Sequence, residues 1–205
     1  MNRPTGAHHP TNTDTPESRG SRRACRQKDA EAGGSGERES DNVSVLPISI
    51  FPRDGILRQK ARRLPGIDRP LRRLVDNMIE TLDHAGGVGL AAPQVGVSLR
   101  IIIVRLPQEV PVILINPELM DTAGEQQVVE GCLSIPGYLG EFVRHAEVTV
   151  KGKDIQGKKM KIKAGGLMAE ALQHEIEHLD GILYLDHVTG PDKIYNVQPE
   201  TAQRF

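Results

Sequence analysis

The feature that most constrains this chain is the stretch 165–181, with the sequence GGLMAEALQHEIEHLDG. Side chains four residues apart on an α-helix lie on the same face, one turn apart, so His174 and His178 can bind the same metal ion. Glu175 would then project beside the open coordination position. This HExxH pattern is typical of metal sites in which a carboxylate acts as a general base.

Apolar residues surround most of this stretch, which predicts a helix buried on nearly every side. The histidines have two interpretations at this point: they are metal ligands that face an internal cleft, or they are solvated residues of an ordinary amphipathic helix. The motif alone does not decide between them, because short patterns also occur by chance. The apolar residues are Leu167, Met168, Ala171, Leu172, Ile176 and Leu179.

The overall composition indicates one folded domain with tails. The chain has 205 residues and a formal net charge of −1, and a chain of this length fits a single domain. The balanced charge offers no electrostatic argument for a nucleic-acid or membrane-surface partner. No apolar run approaches the length that spans a bilayer.

The first 42 residues differ from the rest because they contain no Val, Ile, Leu, Phe, Trp or Tyr. Such a segment buries too little apolar surface to offset the entropy of ordering, so we predict a disordered extension over residues 1–42. It lacks the apolar run of a secretory signal, and its acidic residues argue against a transit peptide. We predict the folded domain over residues 43–189 and a C-terminal tail over residues 190–205.

Local patterns within the predicted domain indicate several strands and few helices. Asp68 can cap a helix whose apolar residues recur at helical spacing until Gly86. One buried helix, one peripheral helix and a series of strands indicate an α+β fold. The predicted strands span residues 99–106, 110–115, 126–129, 142–151 and 159–163.

Two further segments contain candidate functional residues. The loop GVGLAAPQ at residues 87–94 ends in Gln94; it lacks the Lys-Ser/Thr of a phosphate-binding loop, and a plain tight turn is the alternative. Cys132 lies in EGCLS at residues 130–134. A lone cysteine is usually a packing residue. Together with the two histidines, however, it would complete three protein ligands, the number that leaves one position open in a catalytic site.

The segments GVGLAAPQ, EGCLS and HEIEHLDG, in this order, resemble the three motifs of the peptide deformylase family. The resemblance implies an α+β catalytic domain in which antiparallel sheets surround a buried metal-binding helix. The implied reaction removes the N-formyl group from the formylmethionine of newly made polypeptides in the cytoplasm, by a metal-activated water with a Glu general base. The implied cofactor is one divalent ion, Fe²⁺ by preference, with Zn²⁺, Ni²⁺ or Co²⁺ as alternatives.

The resemblance also implies a role for each matching residue. The metal ligands would be Cys132, His174 and His178, and Glu175 would be the catalytic acid and base. Gln94 and the backbone N–H of Leu133 would stabilise the developing oxyanion. The residues implied for binding the formylmethionyl peptide are Val88, Gly89, Glu130, Gly131 and Leu167.

Some positions depart from the family pattern or leave alternatives open. Glu177 stands where Asp is usual, and Glu170 stands near the pocket mouth, where Arg or an apolar residue is common. Glu130 and Arg144 match a charge pair of the family, for which a solvated surface pair is the alternative. Residues 188–205 lack the basic helical extension with which some relatives meet the ribosome. We therefore expect formylmethionyl peptides and nascent chains as partners, with no direct nucleic-acid or membrane partner. The ribosome can lie nearby, although no docking element is evident.

Two other protein classes share part of this pattern. A zincin-type protease also contains HExxH, but its third ligand normally follows the helix, whereas Cys132 precedes it. A non-catalytic metal-binding module would require neither an oxyanion donor such as Gln94 nor a base such as Glu175.

Overall fold

A computed structural model describes residues 43–197; the predicted extension 1–42 and residues 198–205 lie outside the described part. None of the described helices is long and apolar enough to cross a bilayer. Short 3-10 helices occur at Gly55–Arg58, Ala92–Val95, Tyr184–Asp186 and Pro191–Lys193. The regular elements in chain order are α1 (Arg69–Ala85), β1 (Gly89–Ala91), β2 (Ile101–Val104), β3 (Val112–Ala123), β4 (Gln126–Cys132), β5 (Ile135–Arg144), β6 (Glu147–Lys153), β7 (Lys159–Gly165), α2 (Gly166–His178) and β8 (Ile194–Asn196).

Helix α1 begins and ends where the sequence predicts. The Asp68 side chain accepts a hydrogen bond from the backbone N–H of Leu71 at 2.9 Å, which caps the first turn. Gly86 ends the helix with a φ of 68°, a left-handed conformation that glycine adopts without strain. The apolar side of α1 packs on the first of two sheets through Leu71, Val75, Met78 and Leu82.

The first sheet has five antiparallel strands in the order β1-β2-β3-β6-β7. Every residue of β2 is buried. Ile101 and Ile103 belong to the core on the α1 side, and Ile102 and Val104 belong to the core on the α2 side. The continuous apolar run in the sequence therefore reflects a strand that is covered on both faces.

The second sheet has three antiparallel strands in the order β4-β5-β8. In β8, Tyr195 pairs with Leu139 of β5. Regular structure thus continues beyond Thr189, where the sequence analysis ended the domain. A strand of only three residues is too short to show an alternating pattern, so the sequence did not reveal it.

The predicted strand 142–151 is wrong as a single element. β5 ends at Arg144 in the second sheet, and β6 begins at Glu147 in the first. Between them the Gln173 side chain of α2 accepts a hydrogen bond from the backbone N–H of His145 and donates one to its carbonyl oxygen. These bonds hold the chain where it passes from one sheet to the other.

Helix α2 is buried against the five-stranded sheet. Leu172 and Ile176 join Val148 and Val150 in one core cluster. Beyond the helix, Arg100 donates to the carbonyl oxygen of Leu179 at 3.3 Å and to Asp180 at 2.8 Å, which ties the end of α2 to β2. The predicted α+β fold with antiparallel sheets around a buried helix is confirmed. The sequence analysis placed Leu167 among the apolar residues of a buried helix, but this residue is 46% exposed.

Candidate active site

Helix α2 presents His174 and His178 toward β4 of the second sheet and Glu175 toward β1 of the first sheet. The imidazole rings of His174 and His178 have centroids 4.9 Å apart. Leu172 and Ile176 contact the five-stranded sheet, and the two histidines, each two positions further along, point to the opposite side of the helix. The periodicity of one helix thus separates its packing residues from its two histidines.

Strand β4 brings Cys132 to the two histidines. The Cys132 Sγ lies 3.2 Å from His178 Nε2, and the ligand atoms of Cys132, His174 and His178 all lie within 4.8 Å of one another. Among residues 43–197 this is the one group of three or more such side chains close enough to hold an ion. A thiolate and two imidazoles suit a first-row transition metal such as iron or zinc. The donor set therefore fits one divalent ion.

A buried carboxylate orients the first histidine. Glu130 Oε2 accepts a hydrogen bond from His174 Nδ1 at 2.8 Å and another from Arg144 Nη2 at 2.9 Å. Burial alone would raise the pKa of Glu130, but the hydrogen bonds from His174 and Arg144 outweigh it and lower the pKa to about 2. With Nδ1 engaged, the Nε2 of His174 is left to face the metal position, as is usual for histidine ligands.

The pair formed by Glu130 and Arg144 is not a solvated surface pair. Glu130 is 7% exposed and Arg144 is 5% exposed. Arg144 also donates to Glu177 at 3.0 Å, and the same Glu177 oxygen lies 3.0 Å from His187 Nε2. Breaking such a buried pair leaves an uncompensated charge, which is far more costly than losing a surface pair. Glu177, which stands where Asp is usual, is thus part of the same hydrogen-bonded network as Glu130 and Arg144.

The second histidine is held in the form that binds metals. Burial lowers the pKa of His178 well below its usual value, and the positive charges of His174 and Arg144 lower it further. A neutral imidazole has the free electron pair that a metal needs. His178 Nδ1 is buried and has no hydrogen-bond partner among the described residues, and its Nε2 is the atom next to Cys132.

Glu175 is buried beside the ligands and has a raised pKa. Burial raises its pKa to about 7, with a smaller contribution from Glu130, while the positive charges of His174 and Arg144 act in the opposite direction. Its Oε2 is buried without a hydrogen-bond partner in the described part of the chain. A carboxylate that titrates near neutrality suits proton transfer. A bound divalent cation would add positive charge and shift this pKa downward.

Strand β1 fits closely against Glu175. A Cβ atom built on Gly89 would lie 2.3 Å from Glu175 Oε1 and 2.8 Å from its Cδ. Any side chain at position 89 would collide with the carboxylate, so glycine is required here for close approach. The sequence showed the glycine but could not show which side chain it accommodates.

The amide of Gln94 is fixed with its N–H groups toward the cysteine. Gln94 Oε1 accepts a hydrogen bond from the backbone N–H of Ala91 at 2.7 Å. Its Nε2 lies 3.5 Å from Cys132 Sγ and 3.4 Å from Ser134 Oγ. Because the oxygen is already engaged, the amide presents its donors to the site. The 3-10 turn at Ala92–Val95, in the loop for which a plain tight turn was the alternative interpretation, creates this orientation.

These residues line one cavity of about 260 Å³. Ten of the eleven predicted site residues lie in its wall, and the eleventh, His178, is buried in the cluster with Cys132 and His174. The wall also contains Gly87, Val129 and Ala171, which sequence reasoning did not assign to the site. Ala171 could have been found because it lies one turn from Glu175 on the same helix face.

Glu170 also lines the cavity, at the position that the sequence analysis placed near its mouth. Its carboxylate accepts a hydrogen bond from Gln126 Nε2 at 3.1 Å. Burial, followed by the nearby charge of Glu130, raises the pKa of Glu170.

Comparisons with known proteins identify one family. The model of the polypeptide deformylase family matches residues 45–193. A peptide deformylase of Dehalococcoides mccartyi is 51% identical over 159 residues, which cover 77% of this chain and 95% of the relative.

Solved structures show the same relationship. The crystal structure of a peptide deformylase from Legionella pneumophila has a TM-score of 0.70 and 39% identity, covering 78% of this chain and 92% of that one. The peptide deformylase of Synechococcus elongatus, in complex with actinonin, has a TM-score of 0.69 and 40% identity, covering 72% of this chain and 81% of that one. The family predicted from the three motifs is therefore confirmed, and the chain belongs to the polypeptide deformylase family of metal-dependent hydrolases.

Proposed function

We propose that the residues around this cavity together remove the formyl group from newly made polypeptides by hydrolysis, and that each has a separate role in the reaction. That reaction is the activity of the family to which the chain belongs. The observation that carries the proposal is the position of the partnerless Glu175 carboxylate beside the Cys132, His174 and His178 cluster. A base next to a three-ligand site is the arrangement that hydrolysis of an amide needs.

The three clustered side chains would hold the ion. We propose Fe²⁺ as the ion in cells, with Zn²⁺, Ni²⁺ or Co²⁺ able to occupy the same ligands, because selection among these metals follows supply and geometry as much as ligand type. A bound divalent ion supplies Lewis-acid polarisation and lowers the pKa of water. The hydrogen bond from His174 to Glu130 keeps that ligand in its binding orientation.

Glu175 would move the proton. Its carboxylate accepts a proton from the attacking water and then donates that proton to the leaving amine of the methionine. Burial raises the pKa of Glu175 and a bound cation would lower it, and a carboxylate held between these two effects can both accept and release a proton.

Gln94 and Leu133 would stabilise the charge that develops on the formyl oxygen. The Gln94 amide is held from behind by Ala91, so its N–H groups need not reorganise during the reaction. Leu133 lines the same cavity and directly follows Cys132 in the chain. Donors that are fixed before the reaction contribute more than water molecules, which must reorganise around the developing oxyanion.

The peptide would bind along the two strands that border the cavity. β1 is an edge strand of the first sheet and β4 is an edge strand of the second. Gly89 of β1 and Gly131 of β4 line the cavity, and an extended peptide can pair with such edges. Val88 and Leu167 would provide an apolar surface for the methionine side chain, with the nascent chain in the cytoplasm as the natural substrate.

Anaerobic assays with purified, metal-loaded protein test this assignment. We expect turnover of formyl-Met-Ala and much slower turnover of acetyl-Met-Ala, because an additional methyl group must fit where the formyl hydrogen lies. Glu175→Gln should keep the metal and lose turnover by roughly 10²-fold or more. Cleavage of an internal peptide bond while the formyl group stays intact would show that the chain is a protease instead.

A further inference from the structure

A row of lysines covers one face of the β6–β7 hairpin, and we refer to it as the lysine face. Alternate residues of both strands point to opposite sides of the sheet. Val148, Val150, Met160 and Ile162 face the core with α2. The other side contains Lys151, Lys153, Lys159, Lys161 and Lys163, all exposed.

The lysine face places like charges directly opposite one another. Lys151 pairs with Lys161 across the two strands, and Lys153 pairs with Lys159. Directly opposed like charges destabilise a sheet. Lysines on an edge strand protect it from pairing with other chains, which accounts for charges on β7, the edge strand. β6 lies between β3 and β7, so edge protection does not explain its lysines.

Only part of this charge is neutralised within the protein. Lys151 forms an ion pair with Glu118 at 2.7 Å, and Lys163 forms one with Glu147 at 2.9 Å. Lys153, Lys159 and Lys161 form no ion pair with any described residue.

A groove of about 690 Å³ runs beside these lysines and adds to the positive surface. Its wall also contains Arg63 and Glu118, and Glu118 pairs with both Arg63 and Lys151, so the uncompensated charge of the groove comes from Lys153, Lys159 and Lys161. Lys153 also borders a second depression, together with Arg72 of α1. The positive charges therefore line a concave surface on which a chain of negative charges can lie.

We propose that the lysine face binds RNA phosphates on the surface of the ribosome that produces the substrate. This inference rests on the proposed function, because the substrate is a newly made polypeptide. Successive lysines on one strand are about 6.6 Å apart, so neighbouring ammonium groups can reach neighbouring phosphates. The face itself offers no apolar side chain for insertion into a membrane, since its strand positions are the five lysines, Thr149, Gly165 and Glu147, which pairs with Lys163.

The location of the lysine face leaves the active site accessible. α2 and its core packing lie on the other side of the five-stranded sheet. β7 is at one edge of that sheet, and β1, which borders the active-site cavity, is at the other. A partner bound to the lysine face would thus not cover the cavity. The formal net charge of −1 conceals this surface, because acidic residues elsewhere cancel it in the sum.

The test compares two variants of the full, metal-loaded chain that lose the same number of positive charges. The face variant combines Lys153→Gln, Lys159→Gln and Lys161→Gln. The control variant combines Arg53→Gln, Lys60→Gln and Lys193→Gln, which lie outside the hairpin. Binding to ribosomes and to protein-free ribosomal RNA is measured from about 50 to 200 mM salt, the range over which phosphate contacts change affinity strongly.

We expect the face variant to bind ribosomes and ribosomal RNA on the order of 100-fold more weakly at about 0.1 M salt. The slope of log affinity against log salt should be reduced by about two. The control variant should bind nearly as well as the unmodified chain. Equal losses in both variants, or no loss in the face variant, would overturn the proposal. Binding of the unmodified chain to anionic vesicles but not to RNA would overturn it as well.

Hydrolysis of formyl-Met-Ala, measured on the same preparations, separates this inference from the proposed function. The face variant should keep its kcat/KM, because none of the three lysines lines the active-site cavity. If the unmodified chain fails to hydrolyse the peptide, the proposed function is wrong whatever the ribosome binding. If all three proteins hydrolyse the peptide equally and bind RNA equally, only the lysine-face inference is wrong.

Discussion

Gly89→Ala is the substitution whose effect can be worked out most directly from the structure. The added methyl group would lie 2.3 Å from Glu175 Oε1, whereas ordinary contacts of a Cβ atom begin at 3.4 Å. The carboxylate must therefore retreat by about 1 Å, and a displacement of that size at a reacting group costs roughly 100-fold in rate. Glu175 is 3% exposed and lines the active-site cavity, so its carboxylate can retreat only by entering the space where the substrate would bind.

The expected result is a fall in kcat of about 100-fold, equivalent to about 3 kcal/mol of activation free energy. The metal content should not change, since Gly89 contacts the base and is not a ligand. Steady-state kinetics with formyl-Met-Ala and elemental analysis measure the two quantities. Gly66→Ala is the matched control, because no atom lies within 4 Å of its added methyl group.

A double-mutant cycle separates displacement of the base from a general defect. In a Glu175→Gln background the base is already absent, so Gly89→Ala should reduce the remaining kcat by little. If Gly89→Ala lowers kcat equally in both backgrounds, the substitution acts through the fold or the peptide site and the reasoning is wrong. A rise in KM with unchanged kcat would likewise show that Gly89 serves peptide binding alone.

Three further outcomes follow from the ligands and the network behind them. Cys132→Ala should empty the metal site, measured as metal content after gel filtration, because two histidines alone leave the ion with too few protein ligands. Arg144→Met should lower the free energy of unfolding by about 3–5 kcal/mol in urea titrations, because it removes the buried guanidinium that compensates the carboxylates of Glu130 and Glu177. In the folded protein the pKa of Glu130 is lowered from 4.5 to about 2. The ionised carboxylate therefore contributes fully to the free energy of unfolding above pH 4.5, and this contribution is lost as the pH falls toward 2. Unfolding titrations across this range should show a steeper loss for the unmodified chain than for Glu130→Gln.

Local sequence determined the elements whose geometry follows from a single helix or strand. The spacing of His174 and His178 places both rings on one side of α2 whatever surrounds it, because the period of the helix is set by its backbone. Asp68 and Gly86 likewise define α1 through caps that involve only adjacent residues. The ordered motifs added Cys132 and Gln94 to the site by resemblance.

Tertiary structure alone decided how separate segments meet. Cys132 is 46 positions from His178, and Glu130 is 44 positions from His174, so no local rule brings either pair together. The pairing of Glu130 with Arg144 could not be distinguished from a surface pair until both proved to be buried. Burial depends on the packing of the two sheets around α2, which the sequence pattern of any one segment does not contain.

The same distinction explains the prediction that failed and the surface that the sequence did not reveal. Residues 142–151 look like one strand because nothing in them shows that the chain changes sheets at His145, where Gln173 from α2 holds the backbone. The lysines of β6 and β7 look ordinary in a chain of balanced charge, and strand pairing alone sets Lys153 opposite Lys159. Sequence thus determined which side chains each element offers and on which face. The packing of sheets and helices decided which of those faces meet, because the free energy of packing comes from contacts between segments that are far apart in the chain.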